Sequence, residues 1–173
     1  IKFARNSKIP FLGICYGMQM AIIEFARNQL NLKKATSSEF DKKGIPIIGL
    51  INEWKKDGKT IKGTDKDLGG TMRLGSYDAK LKENSMINKI YKKNLIKERH
   101  RHRYEVNIAY KEKFEKNGMI FSGLSPDGEL PEIIELRNHP WFIGVQFHPE
   151  FKSRPLAPHP LFSSFIKASK NHK

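Results

Sequence analysis

The strongest constraint on the fold is one junction, "IPFLGICYGMQMAIIEFARNQL", residues 9–30. A continuous apolar run, Ile9 to Ile14, reads as a buried parallel strand covered on both faces. Directly after it, Met18, Ala21, Ile22, Phe25 and Ala26 recur at helical spacing, which predicts a helix from about Tyr16 to Leu30. A strand that turns into a helix within one or two residues implies an α/β layer arrangement. The single cysteine of the chain, Cys15, sits at the turn with a glycine two residues to either side.

Further along, "IPIIGLI" (Ile45 to Ile51) and "TMRLGSYDAKL" read as strands. The second alternates Met72 and Leu74, then Tyr77 after a glycine bend. "KATSSEF" carries turn and cap residues, and the lysine-rich stretch from Asn52 to Asp67 reads as a loop or insertion. "SMINKIYKKN" predicts a short helix, "RHRYEVN" a segment leading into a loop, and "KEKFEKNGM" a helix ending near Gly118. "IFSGLSPDGELPEIIEL" reads as strand, "SPDG" turn and strand, and "WFIGVQF" as a third apolar strand. "EFKSRPLAPHP" is a proline-rich loop. The closing "LFSSFIKASK" predicts an amphipathic helix with Leu161, Phe162, Phe165 and Ile166 on one side. An early strand–helix unit followed by a meander predicts a mixed sheet with helices.

Length and composition narrow the class. A chain of 173 residues, 38% hydrophobic and 29% charged, suits one soluble domain with its own core. No apolar run is long enough to cross a bilayer, and no signal segment opens the chain. Ile1 to Asn6 reads as the tail of a helix, so a piece of a longer polypeptide is expected. One cysteine excludes an internal disulfide and fits a reducing, intracellular setting. The net charge of +14 comes mostly from dispersed lysines, which favours a solvated surface over a nucleic-acid face. The exception is the compact "KERHRHRY".

Two motifs carry chemistry. "GICYG" (Gly13 to Gly17) has the small-x-nucleophile-x-small shape of a nucleophile elbow. A sharp turn holds the nucleophile in a strained conformation, and small neighbours let the chain fold back on itself. The helix macrodipole favours a thiolate there, and the Tyr16 N–H points where an oxyanion would form. On this pattern alone, a buried cysteine acting as a small hydrophobe remains an equal reading. The second motif is "VQFHPEF". His148 and Glu150, two apart at a strand end, fall on one face if the chain is extended, and Pro149 favours that. A carboxylate beside an imidazole fixes its tautomer, so Cys15, His148 and Glu150 can form a Cys–His–acid triad. A turn histidine bonded to backbone is the plainer alternative. No paired-ligand spacing supports a metal site, and His100 and His102 lie in an arginine-rich run.

The blocks "PFLGICYGMQMAIIEFARN", "GGTMRLGSY", "ERHRHRYEVN" and "HPWFIGVQFHPEFKSRPLAPHPLFSSFIKAS" closely resemble the class I (triad) glutamine amidotransferase domain of the CTP synthase family. The match runs nearly end to end and in order. The resemblance implies a Rossmann-like, flavodoxin-like fold with a central mostly parallel sheet, flanking helices and an antiparallel β-meander. It implies residues 1–173 as a glutaminase domain, incomplete at its N-terminus. A glycine-rich oxyanion loop would precede Ile1, and a synthetase domain would lie outside the chain. It implies that Cys15 attacks the amide of L-glutamine, with His148 moving protons and Glu150 orienting it. Tyr16, Gly17, Met18, Gln19, Glu39 and Arg103 would contact glutamine, Glu39 through its ammonium and Arg103 through its carboxylate. Leucine is commoner than tyrosine at position 16 in that family. No cofactor or metal is expected in this domain. ATP and Mg²⁺ would serve the synthetase domain, which aminates UTP to CTP, with GTP as allosteric activator. The resemblance further implies a cytoplasmic homotetramer that engages neither membrane nor nucleic acid. Another class I amidotransferase or a γ-glutamyl hydrolase fits "RHRHRYEVN" poorly. A non-catalytic basic binding module fits the intact Cys15, His148 and Glu150 set poorly.

Overall fold

The computed structural model describes residues 1–50, 55–56, 59–60 and 72–172. In chain order the elements are α1 (Lys2–Asn6), β1 (Phe11–Ile14), α2 (Tyr16–Asn28), β2 (Ala35–Ser37), β3 (Ile45–Leu50), β4 (Lys55–Lys56) and β5 (Lys59–Thr60). They continue with β6 (Arg73–Leu81), α3 (Met86–Tyr91), β7 (Leu95–His102), β8 (Tyr104–Val106), α4 (Lys111–Lys116), β9 (Met119–Leu124), β10 (Pro131–Leu136), β11 (Phe142–Val145) and α5 (Pro160–Lys170). Apart from the small β4–β5 hairpin, the stretch expected as a lysine-rich loop, Asn52 to Asp67, lies outside the described residues.

Six strands form the main sheet in the order β1-β11-β10-β9-β6-β7, and β2-β3-β8 form a second. Only β1·β11 and β2·β3 are parallel pairs; the other pairings among the described strands are antiparallel. The expected mostly parallel sheet is therefore corrected to a mixed one. The reason is local: β9, β10 and β11 follow one another through short turns, and such turns force antiparallel neighbours.

The main sheet is covered on both faces. In β10, Ile134 joins a core with α2, β3 and α4 through Ile22, Phe25, Ile47 and Phe114. Its neighbour Ile133 points the other way, into a core with α3 and α5 through Ile87, Trp141 and Leu161. Adjacent residues in two cores explain why β10 and β11 are buried along their whole length. That place had been expected for Ile9 to Ile14. Instead β1 ends the sheet among the described strands, with Phe11, Leu12 and Ile14 only half-buried because it has a neighbour on one side. Phe11 stacks on Phe142 at 4.4 Å to compensate in part.

Other expectations shift in detail. "RHRYEVN", expected to lead toward a loop, is itself the end of β7 and all of β8, and "KATSSEF" contributes β2 before its turn. At the start of β6 the inward residue is Arg73, while Leu74 faces out, 64% exposed; Ala79 and Leu81 are buried further along. On α5, Leu161 is buried and Ile166 is exposed, so the apolar face is narrower than its periodicity implied. Among the described residues no helix is long and apolar enough to cross a membrane.

Candidate active site

Cys15 is the only residue between β1 and α2. Its N–H extends the β1·β11 ladder by donating to Val145 O at 2.7 Å. Its C=O accepts from Met18 N (3.1 Å) and Gln19 N (3.2 Å), closing the first turn of α2. Held from both sides, the backbone sits at φ 50°, ψ −102°, a conformation that a side chain normally avoids. The helix folds back so sharply that a Cβ on Gly13 would lie 2.8 Å from the Gly17 carbonyl carbon and oxygen. A Cβ on Gly17 would meet nothing within 4 Å, so only the first of the two glycines is demanded by the turn.

Burial pushes the Cys15 thiol up from 9.0 to about 11. The Tyr16 N–H at the sulfur opposes this, Glu105 and Glu150 add to it, and a hydrogen bond from Gln146 opposes it again. The thiolate expected from the macrodipole is thus outweighed by desolvation. At rest the thiol therefore carries its proton, and it would need a base to act as a nucleophile.

The candidate base, His148, stands beyond the end of the neighbouring strand. β1 and β11 run in parallel with Ile14 opposite Val145, so the residues just beyond, Cys15 and Gln146, emerge side by side. His148 follows two residues later, tied to β7 by its N–H on Arg99 O at 2.8 Å. Its Nδ1 lies 2.6 Å from Glu150 Oε1. The contact is made by a 3₁₀ turn over Pro149–Phe151, not by the extended chain expected from spacing. Since the carboxylate accepts, Nδ1 carries the hydrogen and Nε2 keeps the lone pair. That Nε2 is buried and has no hydrogen-bond partner among the described residues. The ring stacks on Phe151 at 4.9 Å, which fixes its plane.

The other candidate residues are spread over three segments. Tyr16 and Phe40 are both exposed and meet edge to face at 6.1 Å, which sets the turn after β2 beside the start of α2. Glu39, exposed in that turn, donates its N–H to Ser37 Oγ at 3.3 Å. Arg103 is half-buried between β7 and β8, next to Tyr104, whose carbonyl takes the Gln19 amide at 2.9 Å. Met18 is wholly in the core and offers a ligand no side chain. Gln19 is also buried, with its amide committed to Tyr104 and to Gln146 Oε1 at 3.2 Å.

A family description, Glutamine amidotransferase class-I, matches residues 1–168. The chain belongs to the class I glutamine amidotransferases. Within that class it is 89% identical over all of its 173 residues to a CTP synthase of Pelagibacter ubique. It is 63% identical over 170 residues, 98% of the chain, to a CTP synthase of Zymomonas mobilis. The chain spans about a third of the length of these curated relatives, 32% and 31% respectively. A solved structure described as the Trypanosoma brucei CTPS glutaminase domain with bound acivicin superposes with a TM-score of 0.85 at 35% identity. That match covers 99% of this chain and 64% of the other.

For a class I amidotransferase domain, the triad motifs are the visible part of the sequence; a buried polar cluster behind them is not. Arg73 Nη1 lies 3.1 Å from Glu105 Oε1 and its Nη2 lies 2.7 Å from Glu132 Oε1. His100 Nε2 is 3.4 Å from Glu132, His102 Nδ1 is 3.4 Å from Glu105, and the two rings meet Nδ1 to Nε2 at 2.8 Å. Burial pushes both imidazoles down, His100 to about 2 and His102 to about 3, so they are neutral. Burial raises Glu105 to about 8 against the pull of Arg73, and raises Glu132 also. One guanidinium cannot neutralise two buried carboxylates. Glu132, closer to it, holds the charge and Glu105 keeps a proton. Among the described residues no group of three His, Cys, Asp or Glu side chains is placed to hold a metal ion. The signal that could have revealed the cluster is the alternation in "LIKERHRH", where every second residue from Ile96 is buried.

Proposed function

We propose that this chain is the glutaminase domain of a CTP synthase, and that Cys15, His148 and Glu150 hydrolyse L-glutamine to glutamate and ammonia. The observation that carries the reading is the pairing of a protonated Cys15 in a strained elbow with a Glu150-anchored His148 whose Nε2 lone pair is unused.

In this reading His148 Nε2 takes the thiol proton as Sγ attacks the amide carbon. The tetrahedral oxyanion draws on the Tyr16 N–H, which already faces the sulfur. Collapse breaks the C–N bond, and the nitrogen leaves as ammonia with the proton from His148. Water then attacks the γ-glutamyl thioester, giving His148 a proton that returns to the sulfur as glutamate departs. Glu39 receives the substrate ammonium and Arg103 its carboxylate. Tyr16, Gly17 and Met18 supply main-chain contacts, and Gln19 acts from behind the nucleophile.

The likeness to CTP synthases, which are about three times as long, supports the wider assignment. Ammonia passes to a synthetase domain of the same polypeptide, where ATP and Mg²⁺ activate UTP for amination to CTP. GTP activates glutamine hydrolysis, and the whole enzyme is a cytoplasmic homotetramer.

A glutamine-shaped diazo-ketone tests the core of the proposal. Peptide mapping by mass spectrometry is expected to find one adduct, on Cys15, and none in Cys15→Ser. Normal labelling of the serine variant at any other residue would sink the mechanism.

A further inference from the structure

The orientation of two buried amides can be read without ambiguity. The Tyr104 carbonyl can only accept, so Gln19 turns its amide nitrogen toward it at 2.9 Å. That same nitrogen has a second hydrogen, and at 3.2 Å it meets the Oε1 of Gln146. With its oxygen taken, Gln146 presents its NH₂ group to the sulfur of Cys15, 3.7 Å away. Both ends of this chain are anchored. Tyr104 O lies 3.2 Å from His102 Nδ1, at the edge of the Arg73 cluster. The Gln146 main chain donates to Glu132 O at 2.8 Å, while its strand neighbour Val145 holds the Cys15 N–H. Gln146 is 0% exposed, so its side chain has no room to turn over.

From this geometry we infer that Gln146 is a positioning residue for the nucleophile: its amide, aimed by Gln19 and Tyr104, holds the Cys15 sulfur and stabilises the thiolate. The sulfur needs such a donor. Burial and the charge of Glu150 after β11 oppose ionisation, Glu105 on β8 joins them once it loses its proton near pH 8, and His148 only receives the proton. Apart from Gln146, the donor at the sulfur is the Tyr16 N–H, which the oxyanion also claims in the proposed reaction. Gln19 and Gln146 are neutral at every pH, so the direction of the relay does not reverse on titration.

For its effect on turnover the inference rests on the glutaminase reading; for the hydrogen bond itself it does not. The test therefore separates the two. In the protein as its gene encodes it, iodoacetamide alkylation of Cys15 is followed peptide by peptide by mass spectrometry, between about pH 7 and about pH 9. Below the thiol pKa the rate is proportional to the thiolate fraction. Gln146→Leu removes the donor and is expected to slow alkylation about three- to tenfold at each pH. Gln146→Glu keeps shape and volume and still accepts from Gln19, but turns a carboxylate oxygen toward the sulfur; it is expected to be slower still. A purely structural role for Gln146 would not order the rates Gln, Leu, Glu, and the isosteric variant carries the test if the leucine variant fails to fold. In glutamine hydrolysis, kcat is expected to fall in the same order with little change in KM. Rates for both variants that superimpose on the unmodified protein would overturn the inference. Slowed alkylation in a protein that does not hydrolyse glutamine would leave it standing and remove the glutaminase reading.

Discussion

Cys15 shows how much one residue's backbone decides. The elbow holds because Gly13 lets α2 fold onto β1 at a separation that no side chain tolerates. The atoms a Cβ would strike are main chain, so they cannot step aside as a flexible side chain would. Gly13→Ala is expected to cost about 2 kcal/mol or more in stability. It should also abolish Cys15 labelling, as urea unfolding and the diazo-ketone together would show. Gly17→Ala is the contrasting case. Its Cβ enters open space within the first turn of a helix, where alanine is favoured over glycine by up to about 1 kcal/mol. Its unfolding midpoint is expected to hold or rise, and a loss as large as that of Gly13→Ala would refute the asymmetry. The sequence pattern "GICYG" announced the elbow but not this difference, because spacing cannot say which side the helix crosses. Nor could it announce Gln146: inside "VQF" a glutamine looks like a lapse in an apolar strand until its partners, Gln19 on α2 and Cys15 at the elbow, are in view.

Among the elements, β7 was the hardest to read. Its inward residues are Ile96, Glu98, His100 and His102, so the period of two is present while the expected apolar identity is not. Each inward polar group finds a partner: Glu98 meets His159 Nε2 at 3.1 Å and Tyr91 OH at 3.0 Å, tying β7 to α5 and α3. β11, whose residues Phe142 to Val145 are all buried and apolar, was legible for the opposite reason. α3 depends on the same kind of support. This six-residue helix is too short to stand alone. Beyond its own Ser85 cap, its first N–H groups are taken by a carboxylate from β10. Glu135 accepts from Met86 N at 3.0 Å and Ile87 N at 2.9 Å. Removing that acceptor leaves buried donors unpaired at the positive end of the helix. Glu135→Ala is expected to lose about 2–3 kcal/mol in chemical denaturation, and Glu135→Gln, which keeps one acceptor, about half of that. Equal losses in the two variants would show that volume, not the cap, matters.

At the scale of the molecule, charge is sorted by depth. The chain has 18 acidic residues against 32 basic ones. Among the described residues Glu98, Glu105, Glu132 and Glu135 are buried, so the surface is more basic than the net charge of +14 conveys. Composition could show the excess but not that part of its counterweight lies inside, behind the candidate site. The Arg73 cluster should therefore write itself into stability against pH. Glu105 keeps its proton up to about pH 8 in the folded chain but loses it near 4.5 when unfolded. Its contribution is fully present below pH 4.5 and is lost as pH rises through 8. His100 and His102 have the opposite sign. Their folded values of about 2 and 3 lie below the ordinary 6.5, so their contribution is present above pH 6.5 and is lost on acidification. Glu105→Gln isolates the first effect, since the histidines remain in both proteins. An amide resembles the protonated carboxyl and still accepts from Arg73, so at about pH 5 the two proteins are expected to differ little. By about pH 8 the variant should be the more stable by ~1 kcal/mol or more, read from urea midpoints at the two pH values. A difference that shrinks or changes sign on going to pH 8 would mean that Glu105 is already ionised at neutrality. Arg73 would then be balancing two charges rather than one.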